Sequence, residues 1–166
     1  NIDEIKKSDI YIISTNDESI EKISNDLKGR DGMVVHTSGS TEMKILSTHK
    51  NFGVLYPLQT LTKDKLCDFK KVPFCIEGNN NINNQKLKKF VKIIGSKCYH
   101  FDSKQRLALH VSAVFACNFT NYLFSIAYDI CSENKIPFEI FFPLIRETIE
   151  KIEKNNPSKI QTGPGI

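Results

Sequence analysis

Two short apolar runs, Ile10-Tyr11-Ile12-Ile13 and Met33-Val34-Val35-His36, flank a single helical pattern, and no other feature of the sequence constrains its fold as much. A short continuous apolar run reads as a strand covered on both faces. Between the runs, Ser14-Thr15-Asn16-Asp17 supplies capping residues, and Ile20, Ile23 and Leu27 fall on one helical stripe. Lys28-Gly29-Arg30-Asp31-Gly32 closes the helix. Strand, helix and strand within about thirty residues make a βαβ unit, which implies parallel strands and a right-handed crossover.

The alternation continues less regularly. Ser38-Gly39-Ser40 leads into a short helix through Met43, Ile45 and Leu46. Strands are predicted over Phe52 to Tyr56, Val72 to Glu77 and Lys97 to Phe101, and a helix carried by Leu87, Phe90, Val91 and Ile94. The Asn79 to Asn84 tract reads as an exposed loop. After Asp102 the period changes. Ser103 to Cys131 reads as one long helix, apolar nearly all round, and Phe141 to Ile152 as a second. The predicted class is an α/β parallel sheet over 1–102 followed by an all-α domain over 103–166.

Composition narrows the function. With 40% hydrophobic and 25% charged residues in a 166-residue chain, disorder is excluded and a real core is expected. The net charge of +4 comes from scattered lysines, and Lys86, Lys88, Lys89 and Lys92 read as a solvated helix face, so no nucleic-acid partner is expected. The five cysteines form no CxxC pair and no zinc spacing, which points to free thiols, no metal and a reducing compartment. Asn1 to Asp9 is too polar for a signal peptide. The apolar stretch Val111 to Cys131 is interrupted by Ser112, Asn118, Thr120, Asn121, Ser125 and Asp129. It reads as a buried helix rather than a membrane span, and the expected location is cytoplasmic.

Three groups of residues could carry chemistry. On the long helix, at roughly 100° per residue, Ser103, Arg106, His110, Asn121 and Ser125 form a polar stripe with Asn118 at its edge. Read functionally, His110 is a proton donor or orienting group, and Asn118 and Asn121 are amide clamps on a substrate. Read structurally, the same groups make interhelical hydrogen bonds. The second group is His36-Thr37-Ser38-Gly39-Ser40 at the end of a parallel strand, where open α/β sheets bind ligands. Ser38 and Ser40 offer hydroxyls and Gly39 lets a ligand approach, or the segment is simply a turn rich in caps. Ser14 to Asp17 has the same position and the same two readings. No nucleophile elbow accompanies Ser38-Gly39-Ser40, which excludes a serine hydrolase. In the third group, Gln59 and Thr60 project beyond a strand end, either to a substrate or to loop backbone.

These segments also carry a family resemblance. His36-Thr37-Ser38-Gly39-Ser40, Gly53-Val54-Leu55-Tyr56-Pro57-Leu58-Gln59-Thr60, Gln105-Arg106 with Leu109-His110, Ala116-Cys117-Asn118-Phe119-Thr120-Asn121, Pro143-Leu144-Ile145 with Glu147-Thr148, and Gln161-Thr162-Gly163-Pro164 occur in that order. Together they resemble bacterial Rossmann-like proteins with a C-terminal helical domain of unknown function, labelled NADP oxidoreductases. That layout is similar to pyrroline-5-carboxylate reductase, ketopantoate reductase and the β-hydroxyacid dehydrogenases. The resemblance implies that 1–102 is the C-terminal part of a Rossmann-like NADP-binding domain and that 103–166 is a substrate and homodimerisation domain. It implies that Ser14, Thr15, Ser38, Gly39 and Ser40 flank the nicotinamide end of NADP. It further implies that a βαβ unit with the glycine fingerprint precedes Asn1, since none of the eight glycines here makes that fingerprint.

One departure is informative. The β-hydroxyacid dehydrogenases use a lysine followed one turn later by an asparagine, where this chain has His110 and then Val114. The expected function is hydride transfer between NADP and a small polar carbonyl or imine held by Ser38, Gln59, Thr60, His110, Asn118 and Asn121. The alternative is a non-catalytic dimeric module that binds a nucleotide or metabolite.

Overall fold

The computed structural model describes residues 4–61 and 66–160, and the Gln161-Thr162-Gly163-Pro164 segment lies outside them. The described strands form one sheet in the order β1 (Ile10–Ile13), β2 (Met33–His36), β3 (Phe52–Pro57), β4 (Phe74–Gly78) and β5 (Cys98–His100). β1, β2 and β3 run parallel, with Ile12 opposite Val35 and Val35 opposite Gly53. β4 runs antiparallel to β3, and β5 is parallel to β4. The sheet is therefore mostly parallel, with one reversed pair. A parallel return needs a crossover helix. The described part of the β3–β4 connection has only a 3₁₀ turn at Phe69–Lys71.

Alternate residues face opposite sides of the sheet. On one side Met33, Val35, Leu55, Phe74 and Ile76 pack on Leu87 and Val91 of α2 (Asn81–Ile94). On the other, Tyr11, Ile13 and Val34 pack with Leu46 and with Ile20 and Leu27, from α1 (Ile20–Asp26) and its cap. The start of α2 corrects the sequence reading of its asparagine tract. The helix begins at Asn81 because the Asn80 side chain accepts the Asn83 backbone N–H at 2.9 Å, an N-cap. Asn83 is buried and donates to the side chains of Asn79 and Asn51. The asparagines are caps and clasps, not a loop.

After β5 come α3 (Ser103–Ala113), a π-helical segment (Val114–Phe119), α4 (Thr120–Glu133) and α5 (Phe142–Lys154). The chain divides into two compact units, the first ending at Ala113 and the second beginning at Val114. The change of period at Asp102 thus precedes the division by one helix, because α3 folds with the sheet through the buried Arg106.

In the second unit α4 buries Cys131 alone and α5 buries no residue. Phe138 bridges the helices, with its ring 5.6 Å from Tyr128 and 6.0 Å from Phe142. Phe115, Phe119, Leu123, Phe141 and Phe142 remain exposed. By length and composition Ser103–Glu133 could cross a bilayer. The expectation of a buried helix is corrected here: only Arg106 and Cys131 of that stretch are buried within the chain. Apolar periodicity reports what a helix surface needs, not whether the same chain covers it.

Candidate active site

The ends of β1, β2 and β3, the loops that follow them and one face of α3 form a polar cluster within the first unit. The loop after β2 is organised by Ser38. Its hydroxyl accepts the backbone N–H groups of Ser40 at 3.2 Å and Thr41 at 2.9 Å, and donates to the Thr41 hydroxyl at 3.0 Å. Ser38 is thus a buried turn cap. Ser40 is exposed and donates to the Asp17 carboxylate at 2.5 Å, which ties the loops after β1 and β2 together. Burial alone would raise the Asp17 carboxyl, but hydrogen bonds from Ser40, Ser38 and Thr41 outweigh it and hold the group below its ordinary value. Ser14 and Thr15 stand exposed at the end of β1. Ser14 and Thr37 border a mostly apolar cleft of about 280 Å³ walled by Leu55, Pro57 and Phe90.

His36, the last residue of β2, is fully buried. Its Nδ1 accepts the Ser38 backbone N–H at 3.2 Å, and among the described residues no group lies within hydrogen-bonding geometry of its Nε2. Burial depresses the imidazole to about 4 and the nearby Arg106 charge adds to this, against the Glu42 carbonyl and Asp17. A depressed histidine stabilises the fold fully above its unfolded value, near 6.5, and loses that contribution as pH falls toward 4. The loss at complete protonation is about 3 kcal/mol. We expect the urea midpoint to fall across that window, and His36→Gln to flatten the fall. His49, also depressed by burial, contributes in the same sense and remains in the variant.

α3 turns Ser103, Arg106 and His110 toward the sheet. The Arg106 side chain is 1% exposed and ion-paired with Glu77 of β4, and it donates to the Thr41 carbonyl at 2.6 Å and to Ser103 Oγ at 3.2 Å. Glu77 also accepts the Ser103 backbone N–H at 3.0 Å and its hydroxyl at 2.8 Å. This clasp fixes the first turn of α3. Two turns on, His110 Nδ1 lies 3.2 Å from the Tyr56 hydroxyl, with the rings edge to face at 6.1 Å. Burial raises the Tyr56 phenol above its ordinary value, so it stays neutral at physiological pH. Gly39 closes the cluster. A Cβ there would lie 2.7 Å from His110 Nδ1 and 2.9 Å from Tyr56 Cζ, so only glycine lets the loop come this close.

The structure therefore brings Gly39 and His110 together, with Ser38 and Ser40 alongside. Gln59 and Thr60 are exposed, the Gln59 side chain accepts the Thr60 N–H at 2.9 Å, and both border a separate shallow cleft with Cys67 and Lys71. Asn118, in the π-helical segment, and Asn121, in α4, are exposed residues of the second unit, and Asn121 borders a shallow groove with Phe124 and Tyr128. The sequence reading missed Glu77, and it took in Asp17 and Tyr56 only as ends of candidate segments, without a role of their own. Strand alternation gave the one available signal, since it sets Tyr56 on the same face as Val54, opposite His36.

Residues 72–166 match the model of a family described as "Domain of unknown function (DUF2520)". The chain is similar over 99% of its length to a crystal structure from Bacteroides fragilis named "putative NADP oxidoreductase", with 35% identity and a TM-score of 0.86. It is similar over 97% of its length to a Thermotoga maritima protein, with 22% identity and a TM-score of 0.79. Over 95% of its length it is similar to a Plasmodium falciparum pyrroline carboxylate reductase solved with NADP bound, with 16% identity and a TM-score of 0.66. The chain spans 65% of each of these three proteins. No curated protein matches it by sequence.

Proposed function

The chain belongs to the DUF2520 family, and from that premise we propose that it is part of an NADP-dependent oxidoreductase acting on a small polar carbonyl or imine, with His110 as the proton donor. The observation that carries this reading is the placement of the His110 imidazole against Gly39 and Tyr56, beside the strand-end loops. The resemblance to NADP oxidoreductases supports it.

The residues present fit the nicotinamide end of the cofactor. Ser14, Thr15 and Ser40 bring exposed polar groups to the strand ends, and the bare Gly39 backbone permits close approach. The Ser38 hydroxyl is committed to its own turn, so its part is to shape the loop. NADPH, when bound, would supply the hydride and leave as NADP⁺. His110 holds the substrate oxygen or nitrogen at Nε2 and delivers the proton there as the carbon is reduced. Gln59 and Thr60 belong in this proposal to substrate binding in the first unit, and the amides of Asn118 and Asn121 are proposed as ligand contacts of the second unit by itself. The test is NADPH fluorescence with the full-length protein: binding at micromolar levels is expected, and none at those levels sinks the reading.

The proposal includes a cytoplasmic homodimer paired through the C-terminal helices, consistent with five free cysteines. Exposed aromatic and leucine side chains along α4 and α5 need a cover, and contiguous apolar patches of this kind mark interfaces. A second copy suits them better than a bilayer, because Asn118, Thr120 and Asn121 sit in the middle of the apolar stretch, where hydrocarbon would leave their polar groups without water. Light scattering without detergent should give twice the chain mass. A monomer at high concentration, or a protein soluble only in detergent, counts against it.

A further inference from the structure

We infer that Tyr56 is a positioning residue that accepts a hydrogen bond from His110 Nδ1–H and so keeps Nε2 as the nitrogen that exchanges a proton with the substrate. The inference rests on the reading of His110 as the proton donor. Tyr56 Oη and His110 Nδ1 are 3.2 Å apart, within reach of a hydrogen bond in either direction. Chemistry chooses the direction. Were the phenol the donor, a neutral ring would carry its one proton on Nε2, and giving that proton up would leave an imidazolate. With Nδ1–H held by the phenol oxygen, the ring cycles between imidazolium and neutral imidazole. Nε2 gives its proton to the carbonyl oxygen or imine nitrogen as the carbon is reduced, and regains it from solvent. The phenol neither gains nor loses a proton, in keeping with the raised value that burial gives it.

Gly39 reinforces the assignment. Its backbone presses on the Nδ1 side of the imidazole, 2.7 Å from Nδ1 and 2.9 Å from Cγ at the position a Cβ would take. Nδ1 is thus enclosed by Tyr56 and Gly39. No group among the described residues hydrogen-bonds Nε2, which leaves it for a ligand. Tyr56 is half-buried, so its own O–H can still reach water while its oxygen accepts. The ligand class follows from the cycle: a molecule presenting an acceptor oxygen or nitrogen on the carbon to be reduced. A cation or an amide N–H at that point would meet the Nε2–H head-on.

The tautomer is directly measurable, because which ring nitrogen bears the proton is set by the bond the other makes. Full-length protein labelled with ¹⁵N-histidine is observed by long-range ¹H–¹⁵N correlation at a pH where the ring is neutral, and the His110 signals are identified by their loss in His110→Asn. We expect Nδ1–H, the less common form of a free histidine side chain. Tyr56→Phe should return His110 to the Nε2–H form and lower kcat with little change in KM. A wild-type Nε2–H tautomer overturns the inference, and so does a Tyr56→Phe spectrum identical to wild type. An Nδ1–H tautomer in a protein that fails to bind NADPH overturns the oxidoreductase reading and leaves the Tyr56–His110 assignment standing.

Discussion

Glu77→Ala will destabilise the chain by about 3–5 kcal/mol, the usual cost of removing one partner from a buried ion pair. Arg106 is 1% exposed and among the described residues its Nε lacks a hydrogen-bond partner, so without Glu77 the guanidinium charge stays buried with only the Thr41 carbonyl and the Ser103 hydroxyl of those residues to accept from it. The loss is read from the denaturant midpoint at unchanged slope. Arg106→Met should cost less, because Glu77 is 12% exposed and can recover water. The double variant Glu77→Leu/Arg106→Met should regain much of the loss, since well-packed apolar side chains replace buried ion pairs at little cost. A Glu77→Ala cost of less than about 1 kcal/mol would mean that α3 is not held to β4 in this way.

The second large effect is on turnover. His110→Ala in the full-length protein should reduce it by roughly 10²–10⁴-fold, the range for general acid–base catalysis. Cofactor affinity should hardly move. Stability should fall by only about 1 kcal/mol, since the ring makes one hydrogen bond and both partners are half-buried. Turnover and melting temperature measured on one preparation separate the roles. Preserved turnover with a lowered melting temperature would leave His110 as scaffold, and the catalytic assignment would have to move elsewhere.

What could be read from the sequence follows the range of the interaction involved. The βαβ unit from β1 to β2 was legible because both apolar runs and the Ile20, Ile23 and Leu27 stripe are local patterns. The α2 start was misread because composition was weighed above capping: Asn80 is three residues before Asn83, the spacing an N-cap needs. The reversal of β4 was not legible, since strand alternation is the same in either direction and only the connection decides. The polar side of α3 was visible as Ser103, Arg106 and His110, but its partners Glu77, Tyr56 and Gly39 come from distant segments, and no local period says that they meet it. The long helix was legible as apolar, and its cover was not, because one chain's sequence does not record what packs against it.

The sheet order leaves β1 hydrogen-bonded to β2 alone among the described strands. Its outer row of N–H and C=O groups is a template on which another strand can add, and Ile12, 46% exposed, makes that margin sticky as well. The strand Ile10-Tyr11-Ile12-Ile13 has none of the lysines or prolines that blunt such margins in other proteins. In the full-length protein this margin is where a further strand of the same sheet can pair. The 166-residue segment expressed alone should therefore self-associate more than the full-length protein does, as light scattering on both would show.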